Sequence, residues 1–599
     1  MFSFVITKES ETRQSDAARM REGHESIVGN GYRIEYRLGA LYSFFHEIDG
    51  KILIGEAINR VNPARLEGIL KSIADSPNRG NPFGNNLLTL VMVDFTSEQI
   101  HVLSSIYSGR PVFYHYDDES LIVSGNIRSF EDYGISAEVN EDVLPEFYLY
   151  RVICPPRTLY RGISRLAGGQ ILTFGLNPVR KAAESYWEFD REQGPELDAG
   201  HDGSDIVDKM LISHMAECFQ HHHNRALLLS GGTDSSLLAA VATAIEKGLP
   251  SVSSGFSFIN KDDRETEYAT TAADFLETNH SLFETTAEDY LAALVDSIVM
   301  AEEPVDHIQT VILYLLFREY RFGDDPFVIC GINADALVGN DLHFDYVNNH
   351  RLLRAARYSG LQKILRLFDD MFDISSHRVK FLVNDFGVRA DNPRHYLWQI
   401  GRFTEMRLVK EVFSYDYEAM VLPRENLVKH YQHLPLLDRI TVVNILARSA
   451  LAMALWGKLA EVNGVKLYYP FSVPEIVNFV FKIPWPVKLK ESKFLIKTLL
   501  RRHGVPEALI TRPKKSFGIP YKFWALPGTL FQPLVDLAGQ MYDPSVLKSL
   551  QSETPAKGML LWNMLNLFLW KKLMVDKIDP GNLAGDITER HRHLQKDID

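Results

Sequence analysis

The sequence predicts an α/β protein in two parts: an antiparallel sandwich first, then a parallel sheet flanked by helices, with a helical C-terminal portion. Three observations carry this. Short apolar or alternating runs (Leu87–Val93, Gln99–Leu103, Ser120–Val123) follow one another with only turn chemistry such as Ser-Gly-Arg-Pro between them, the spacing of antiparallel strands. From residue 226 the pattern changes. Ala226–Leu229 reads as a short buried strand, Ser236–Glu246 as a helix with Leu237, Leu238, Val241, Ala244 and Ile245 on one face, Val252–Phe258 as a strand, Tyr290–Met300 as a helix and Phe327–Cys330 as a strand. Such alternation makes a parallel sheet covered on both faces. Beyond residue 340 the pattern is mainly helical. The expected units are residues 1–195, residues 204–575 after a polar linker at Gly194–Gly203, and a charged, fraying tail over 576–599.

Composition bounds the function. The 599 residues are 46% hydrophobic and 24% charged, which excludes disorder and fibrous repeats and leaves room for two to four domains at roughly 100–200 residues each. With 64 basic and 77 acidic side chains the net charge is −13, a poor match to nucleic acid. Cys154, Cys218 and Cys330 make neither a disulfide framework nor a metal-type spacing, so a reducing cytoplasm is the expected home. Met1–Thr7 is apolar but Lys8 and Glu9 follow at once, without the features of a signal peptide. Leu560–Trp570, interrupted by Asn563 and Asn566, is short of the ~20 residues a membrane span needs. It reads as a buried terminal helix, in a soluble protein without a membrane span.

The segment that carries chemistry is Leu227-Leu228-Leu229-Ser230-Gly231-Gly232-Thr233-Asp234-Ser235-Ser236: a strand, a glycine-rich turn and a helix start. Glycines let the main chain approach a ligand, and the free N–H groups of a helix start bind phosphate oxygens. Asp234 fits such an anion site only if a cation lies between it and the phosphates, as Mg²⁺ does when held by one or two carboxylates plus substrate oxygens. No Gly-Lys-Ser/Thr follows, so this is no Walker A loop; the competing reading is an ordinary helix cap. The second carboxylate is expected beyond the end of another strand. Asp335, in Gly331-Ile332-Asn333-Ala334-Asp335-Ala336 after Phe327–Cys330, is placed to supply it.

The loop resembles that of enzymes splitting ATP to AMP and pyrophosphate, and the chain as a whole resembles the asparagine synthetase superfamily. The resemblance rests on Ser230–Ser235, on Gly331–Ala336 in place of a Gly-x-Gly-x-Asp-Glu loop, and on Glu303-Pro304. It extends to a helix at Asp438–Met453, to Pro470-Phe471 and to Arg512-Pro513-Lys514-Lys515-Ser516-Phe517-Gly518-Ile519-Pro520. In the first half Gly55–Asn59, Gly109–Tyr114 and Pro156–Gly162 resemble the family's glutamine-amidotransferase domain, an α/β/β/α sandwich, and its junction with the synthetase domain. The resemblance implies ATP and Mg²⁺ as cofactors, with Ser230, Gly231, Gly232, Asp234 and Ser235 at the phosphates and Asp234 and Asp335 on the metal. It implies adenine against the backbone near Leu228, Phe258 and Gly331, and Lys514 and Lys493 at the phosphates and the charge developing on the acyl intermediate.

The departures refine this. Glutamine-using members begin Met-Cys, whereas this chain begins Met1-Phe2-Ser3, so the first domain is expected to be catalytically inert and the amine to come with the substrate. Ile332 stands where asparagine synthetases have a glutamate and β-lactam synthetases a tyrosine, so the base is sought elsewhere, at His307 or Glu303. His221–His223 reads as exposed, without a metal role. Among members lacking the cysteine, the chain is most like lasso peptide cyclases, which join the N-terminal amine of a precursor peptide to an internal Asp or Glu side chain and work with a leader-binding or leader-peptidase partner. The segment from Asp341 to Pro435, with its aromatic and arginine residues, suits either a peptide-sized substrate or helical packing. The alternatives are a small-molecule amide or β-lactam synthetase, an ammonia-dependent asparagine synthetase-like enzyme, and a non-catalytic scaffold in a peptide-maturation complex.

Overall fold

In β1 (Ser3–Lys8) of the computed structural model, Phe4 and Ile6 enter one apolar layer and Val5 the other. This period-two alternation builds the whole first half. The structure describes residues 3–8, 25–29, 32–38, 42–48, 50–57, 88–107, 109–175, 181–185, 187, 189, 202–256, 264–341, 343, 344, 347, 400–402, 404–512 and 524–598. One antiparallel sheet joins β1 to β2 (Glu25–Gly29), β3 (Tyr32–Arg37), β8 (Phe113–Tyr116), β9 (Ser120–Ser124) and β10 (Ser164–Arg165), in the order β10-β8-β9-β1-β3-β2. The other joins β4 (Tyr42–Ile48), β5 (Lys51–Ala57), β6 (Leu88–Asp94), β7 (Gln99–Ser104), β11 (Gln170–Gly175) and β12 (Lys181–Ser185), in the order β12-β11-β7-β6-β5-β4. Phe4, Ile34, Ile54, Val91, Val102 and Val123 meet between the sheets. Of the expected α/β/β/α layering the described residues show the two sheets and two short helices, Arg128–Glu131 and Leu144–Tyr150.

The second half is the predicted parallel sheet: β13 (Arg225–Leu228), β14 (Pro250–Phe256), β15 (Asn279–Thr285), β16 (Phe327–Ile329) and β17 (Lys466–Tyr468), in the order β15-β14-β13-β16-β17. Two strands were not foreseen, β15 and β17. The first has an alternating, mostly exposed edge pattern and the second is three residues long, so neither carries a buried apolar run to read. Around the sheet lie α1 (Ser204–His221), α2 (Thr233–Ile245), α3 (Ala287–Ala301), α4 (Ile308–Glu319), α5 (Leu436–Val462), α6 (Phe494–Arg502), α7 (Pro555–Trp570) and α8 (Pro580–Ile598). By length and composition α5 could cross a bilayer, but 78% of its apolar window is buried inside the protein, so it is a core helix. In α7 Asn563 and Asn566 are fully buried because their amides donate to the carbonyls of Tyr148 and Val305, each at 2.7 Å.

Three expectations need correction. The tail does not fray: α8 buries Leu583, Ile587 and His591 at four-residue spacing, and Arg592 pairs with Glu288 of α3 at 2.6 Å. Leu560–Trp570 is therefore not the terminal helix. His222 is not exposed; it is 3% accessible and stacks on Phe327 with ring centroids 4.0 Å apart. Most of the expected linker, residues 194–201, lies outside the described residues.

The halves meet through buried charge. Glu302 closes α3 in a left-handed conformation (φ 61°), accepts from the amide of Ile127 at 2.6 Å and pairs with Lys458 of α5 at 2.7 Å, both side chains nearly fully buried. Arg110 pairs with Glu461, and Arg165 with Glu303. Between them Gly457 faces Gly109; a Cβ there would lie 1.8 Å from the Gly109 carbonyl oxygen, so α5 can pack on the first half only through glycine. Removing one member of a buried pair leaves an uncompensated charge. Glu302→Gln is expected to cost about 3–5 kcal/mol and to lower the thermal midpoint, with most of the loss recovered in the Glu302→Gln/Lys458→Met double variant.

Burial, with Lys466 adding to it, pushes the His222 pKa down to about 4, so protonation favours the unfolded chain, where histidine titrates near 6.5. Stability is lost as pH falls below about 6.5 and the loss levels off near pH 4. In thermal scans over that range His222→Leu is expected to lose less stability than the parent.

Candidate active site at the glycine loop

The site is built where β13 and β16 end side by side. These strands pair in parallel register, Leu227 opposite Ile329, so their following loops emerge at the same edge of the sheet. After β13 the chain turns through Gly231 (φ 64°), where a Cβ would sit 2.5 Å from the Tyr268 carbonyl carbon, and enters α2 at Thr233. Hydroxyls hold the turn: Ser230 and Ser235 Oγ lie 3.1 Å apart, the Ser230 amide donates to Ser235 Oγ at 3.2 Å, and Ser235 Oγ donates to the Gly232 carbonyl at 3.2 Å. After β16, Gly331 allows the second loop to touch the first. A Cβ there would be 3.2 Å from the Ser235 nitrogen and 3.3 Å from the Asp234 carbonyl carbon.

That contact brings the two predicted metal carboxylates together. Lys493 Nζ lies 2.6 Å from Asp234 Oδ2 and 2.7 Å from Asp335 Oδ1, and against the opposing effect of burial these carboxylates hold its pKa well above the usual lysine value. The lysine backbone is left-handed (φ 57°) at the start of α6, with its amide donating to the Gly339 carbonyl at 3.0 Å. A pair of carboxylates sharing one cation is a fitting donor set for Mg²⁺ completed by phosphate oxygens. In the chain by itself the lysine ammonium supplies that positive charge. Asp335 is in turn held from the first half: Asn333, left-handed at φ 80°, donates to Tyr107 Oη at 2.9 Å and to the Phe471 carbonyl at 3.1 Å.

Leu228, Ser230, Gly232, Asp234, Ser235, Gly331, His307, Asp335 and Lys493 all line one cavity of about 730 Å³. Gly231 shapes the turn beside it. Lys514 and Phe258 lie outside the described residues. Glu303 does not line that cavity: it pairs with Arg165 and lines an adjoining space of about 30 Å³ between the halves, with Arg151, Val152 and Asp306 bordering both. His307 caps α4, its Nδ1 accepting from the Gln309 amide at 3.1 Å. Burial, then the Arg151 and Arg448 guanidiniums, hold its pKa well below the usual value. His307 thus lines the cavity and caps α4, while Glu303 faces Arg165 between the halves.

Sequence reasoning missed several cavity residues. Arg512 opens the quoted Arg-Pro-Lys segment, yet only the structure shows its guanidinium stacked 4.5 Å over Tyr268, with Nη2 3.6 Å from the Cβ position of Gly232. Arg151 and Asp306 lie outside the quoted motifs, and Asn444 lies inside the quoted helix Asp438–Met453 without being singled out. Asp234→Asn is expected to weaken Mg²⁺·ATP binding at least about tenfold without lowering the thermal midpoint, because repulsion from Asp335 is relieved; calorimetric titration beside a thermal scan checks both.

The family described as asparagine synthase matches residues 207–572. Proteins described as glutamine-hydrolysing asparagine synthetases in Mycobacterium bovis and Mycobacterium tuberculosis are 23% identical over 465 residues, covering 74% of this chain and 69% of theirs. Two solved structures are a Bacillus subtilis glutamine phosphoribosylpyrophosphate amidotransferase (11% identity, 47% of this chain and 59% of that one, TM-score 0.17) and an allosteric regulatory enzyme of purine biosynthesis (9%, 48% and 74%, TM-score 0.18); both likenesses are too small to bear on the fold. The family match spans the glycine loop, both carboxylates and Lys493, and on it the chain belongs to the asparagine synthase family.

Proposed function

We propose that this family member is an AMP-forming amide ligase of the lasso-cyclase type, with ATP and Mg²⁺ as cofactors. A carboxylate is a poor electrophile, and adenylation makes it a good one. In this reading Ser230–Ser235 would cradle the phosphates, and Asp234 and Asp335 would hold Mg²⁺, which would supply positive charge for the departure of pyrophosphate. Lys493, beside both carboxylates, would add positive charge toward the phosphates. Lys514 is proposed to act beside it. The carboxylate is an internal Asp or Glu side chain of a precursor peptide, and the N-terminal amine of the same peptide attacks the acyl adenylate to close a macrolactam. With both groups on one bound molecule, proximity supplies much of the rate. A leader-binding or leader-peptidase protein is the proposed partner.

The observation that carries this reading is the Asp234–Lys493–Asp335 constellation opening into a cavity that continues past the glycine loop to Asp306, Asn444 and Arg448. That leaves space beyond the phosphates for a second reactant. Two further features fit an amine that comes with the substrate. Ser3 is 4% exposed and paired within β1 on both sides, and Ile332 packs against the core, so neither offers a nucleophile or a base. A small-molecule amide synthetase would use the same chemistry on a smaller acid.

The test is product analysis on the full chain with Mg²⁺·ATP. Leader-free peptides with an N-terminal glycine and an internal acidic residue are compared with glutamine and with ammonia plus small acids, adding a leader-binding protein in parallel. AMP and pyrophosphate with loss of one water from the peptide is the expected result. AMP with only a small acid consumed overturns the cyclase assignment; ADP as the product overturns the adenylation chemistry.

A further inference from the structure

Tyr268, in the helix Arg264–Phe275, ties the glycine turn to a cation. Its backbone presses on Gly231, where a Cβ would sit 2.5 Å from the Tyr268 carbonyl carbon and 2.6 Å from the Ala269 nitrogen. Its ring carries the Arg512 guanidinium, 4.5 Å from the ring centroid, inside the range of a cation–π contact. Arg512 then reaches the turn itself: Nη2 lies 3.6 Å from the Cβ position of Gly232. Both side chains are half-buried. Arg512, Thr511, Gly232, Thr266 and Ala269 all line the cavity of about 730 Å³.

A second cation meets the same turn at a different residue. Lys493 Nζ is 2.6 Å from Asp234 Oδ2, whereas Arg512 stands at Gly232, two residues earlier. They come from different elements, Lys493 from the start of α6 and Arg512 from the chain after the short helix Glu507–Ile510. α6 also brings Lys497 to the cavity, but Lys497 is paired with Glu491 at 3.0 Å. A diphosphate has charged oxygens on two phosphorus atoms and can meet both approaches, which suits this two-point geometry better than one phosphate does. Arginine chemistry agrees. Stacking engages the guanidinium face, and phosphate is recognised by the planar fork of edge donors, so Tyr268 fixes the plane without competing for the ligand. A carboxylate is the other anion an arginine could take, but the place beside the glycine turn, where helix-start amides favour phosphate oxygens, selects the phosphate.

We propose that Arg512 is a ligand of the terminal, pyrophosphate part of the nucleotide, held in place by Tyr268, and that it makes the site prefer a triphosphate to a monophosphate. The assignment rests on the ligase reading for the identity of the nucleotide, and adds to it the group that meets the charge of the leaving pyrophosphate. Tyr268 acts through Arg512 and is a positioning residue.

The experiment titrates the full chain calorimetrically with Mg²⁺·ATP, Mg²⁺·pyrophosphate and AMP, beside thermal scans. Arg512→Gln is expected to weaken Mg²⁺·ATP and Mg²⁺·pyrophosphate at least about tenfold and AMP less than about twofold. Tyr268→Leu keeps the guanidinium but removes the ring beneath it, and is expected to weaken Mg²⁺·ATP about threefold. Arg512→Lys, which keeps the charge without the fork, is expected to fall between the parent and Arg512→Gln; these two milder variants carry the test if Arg512→Gln lowers the thermal midpoint. Unchanged ATP and pyrophosphate affinity in Arg512→Gln, no pyrophosphate binding by the parent, or equal losses for AMP and ATP across the variants overturns the assignment. The two readings fail separately. Arg512-dependent pyrophosphate binding without AMP formation from any carboxylate removes the ligase reading and leaves the phosphate ligand; AMP formation with Arg512-independent ATP affinity does the reverse.

Discussion

Two carboxylates at hydrogen-bonding distance from one cation set the terms for this structure. Asp234 and Asp335 come from loops about a hundred residues apart in sequence, and each would repel the other without the positive charge between them. The arrangement depends on adjacent parallel strands, on Gly331 having no side chain where the loops touch, and on the left-handed backbone at Asn333 and Lys493. Each residue with positive φ carries a local cost, and hydrogen bonds to neighbouring elements hold it in place.

The same logic accounts for the first half. Tyr107 accepts from Asn333, which sets the loop of Asp335; Arg151 lines the cavity; and the Ile127 amide and the Tyr160 hydroxyl both donate to Glu302, which also takes the buried charge of Lys458. These contacts make the sandwich a wall and a brace of the site. Buried ion pairs are weak sources of net stability, but they penalise misplacement heavily, and that suits an interface whose task is to fix position.

The cavity, in turn, mixes charges of both signs. Its lining combines cationic Lys493, Lys497, Arg512, Arg151 and Arg448 with the carboxylates of Asp234, Asp335 and Asp306. A long helix interrupted by one π turn and a strand-to-helix turn both contribute to it.

The sequence by itself determined the periodic elements and the chemistry of the loops. Alternation at period two marked the sandwich strands, strand–helix alternation marked the parallel sheet, and Ser-Gly-Gly-x-Asp-Ser is a local motif whose glycines and acid announce their purpose. Asp335 was legible only as a partner, from the rule that carboxyl ends of parallel strands converge. Tertiary structure alone decided the rest, because the deciding contacts join residues with no fixed spacing. It placed Lys493 between two acids, tied Glu303 to Arg165 and committed Nδ1 of His307 to a helix cap. It also buried His222 against Phe327 and folded the charged tail onto α3 through one apolar face.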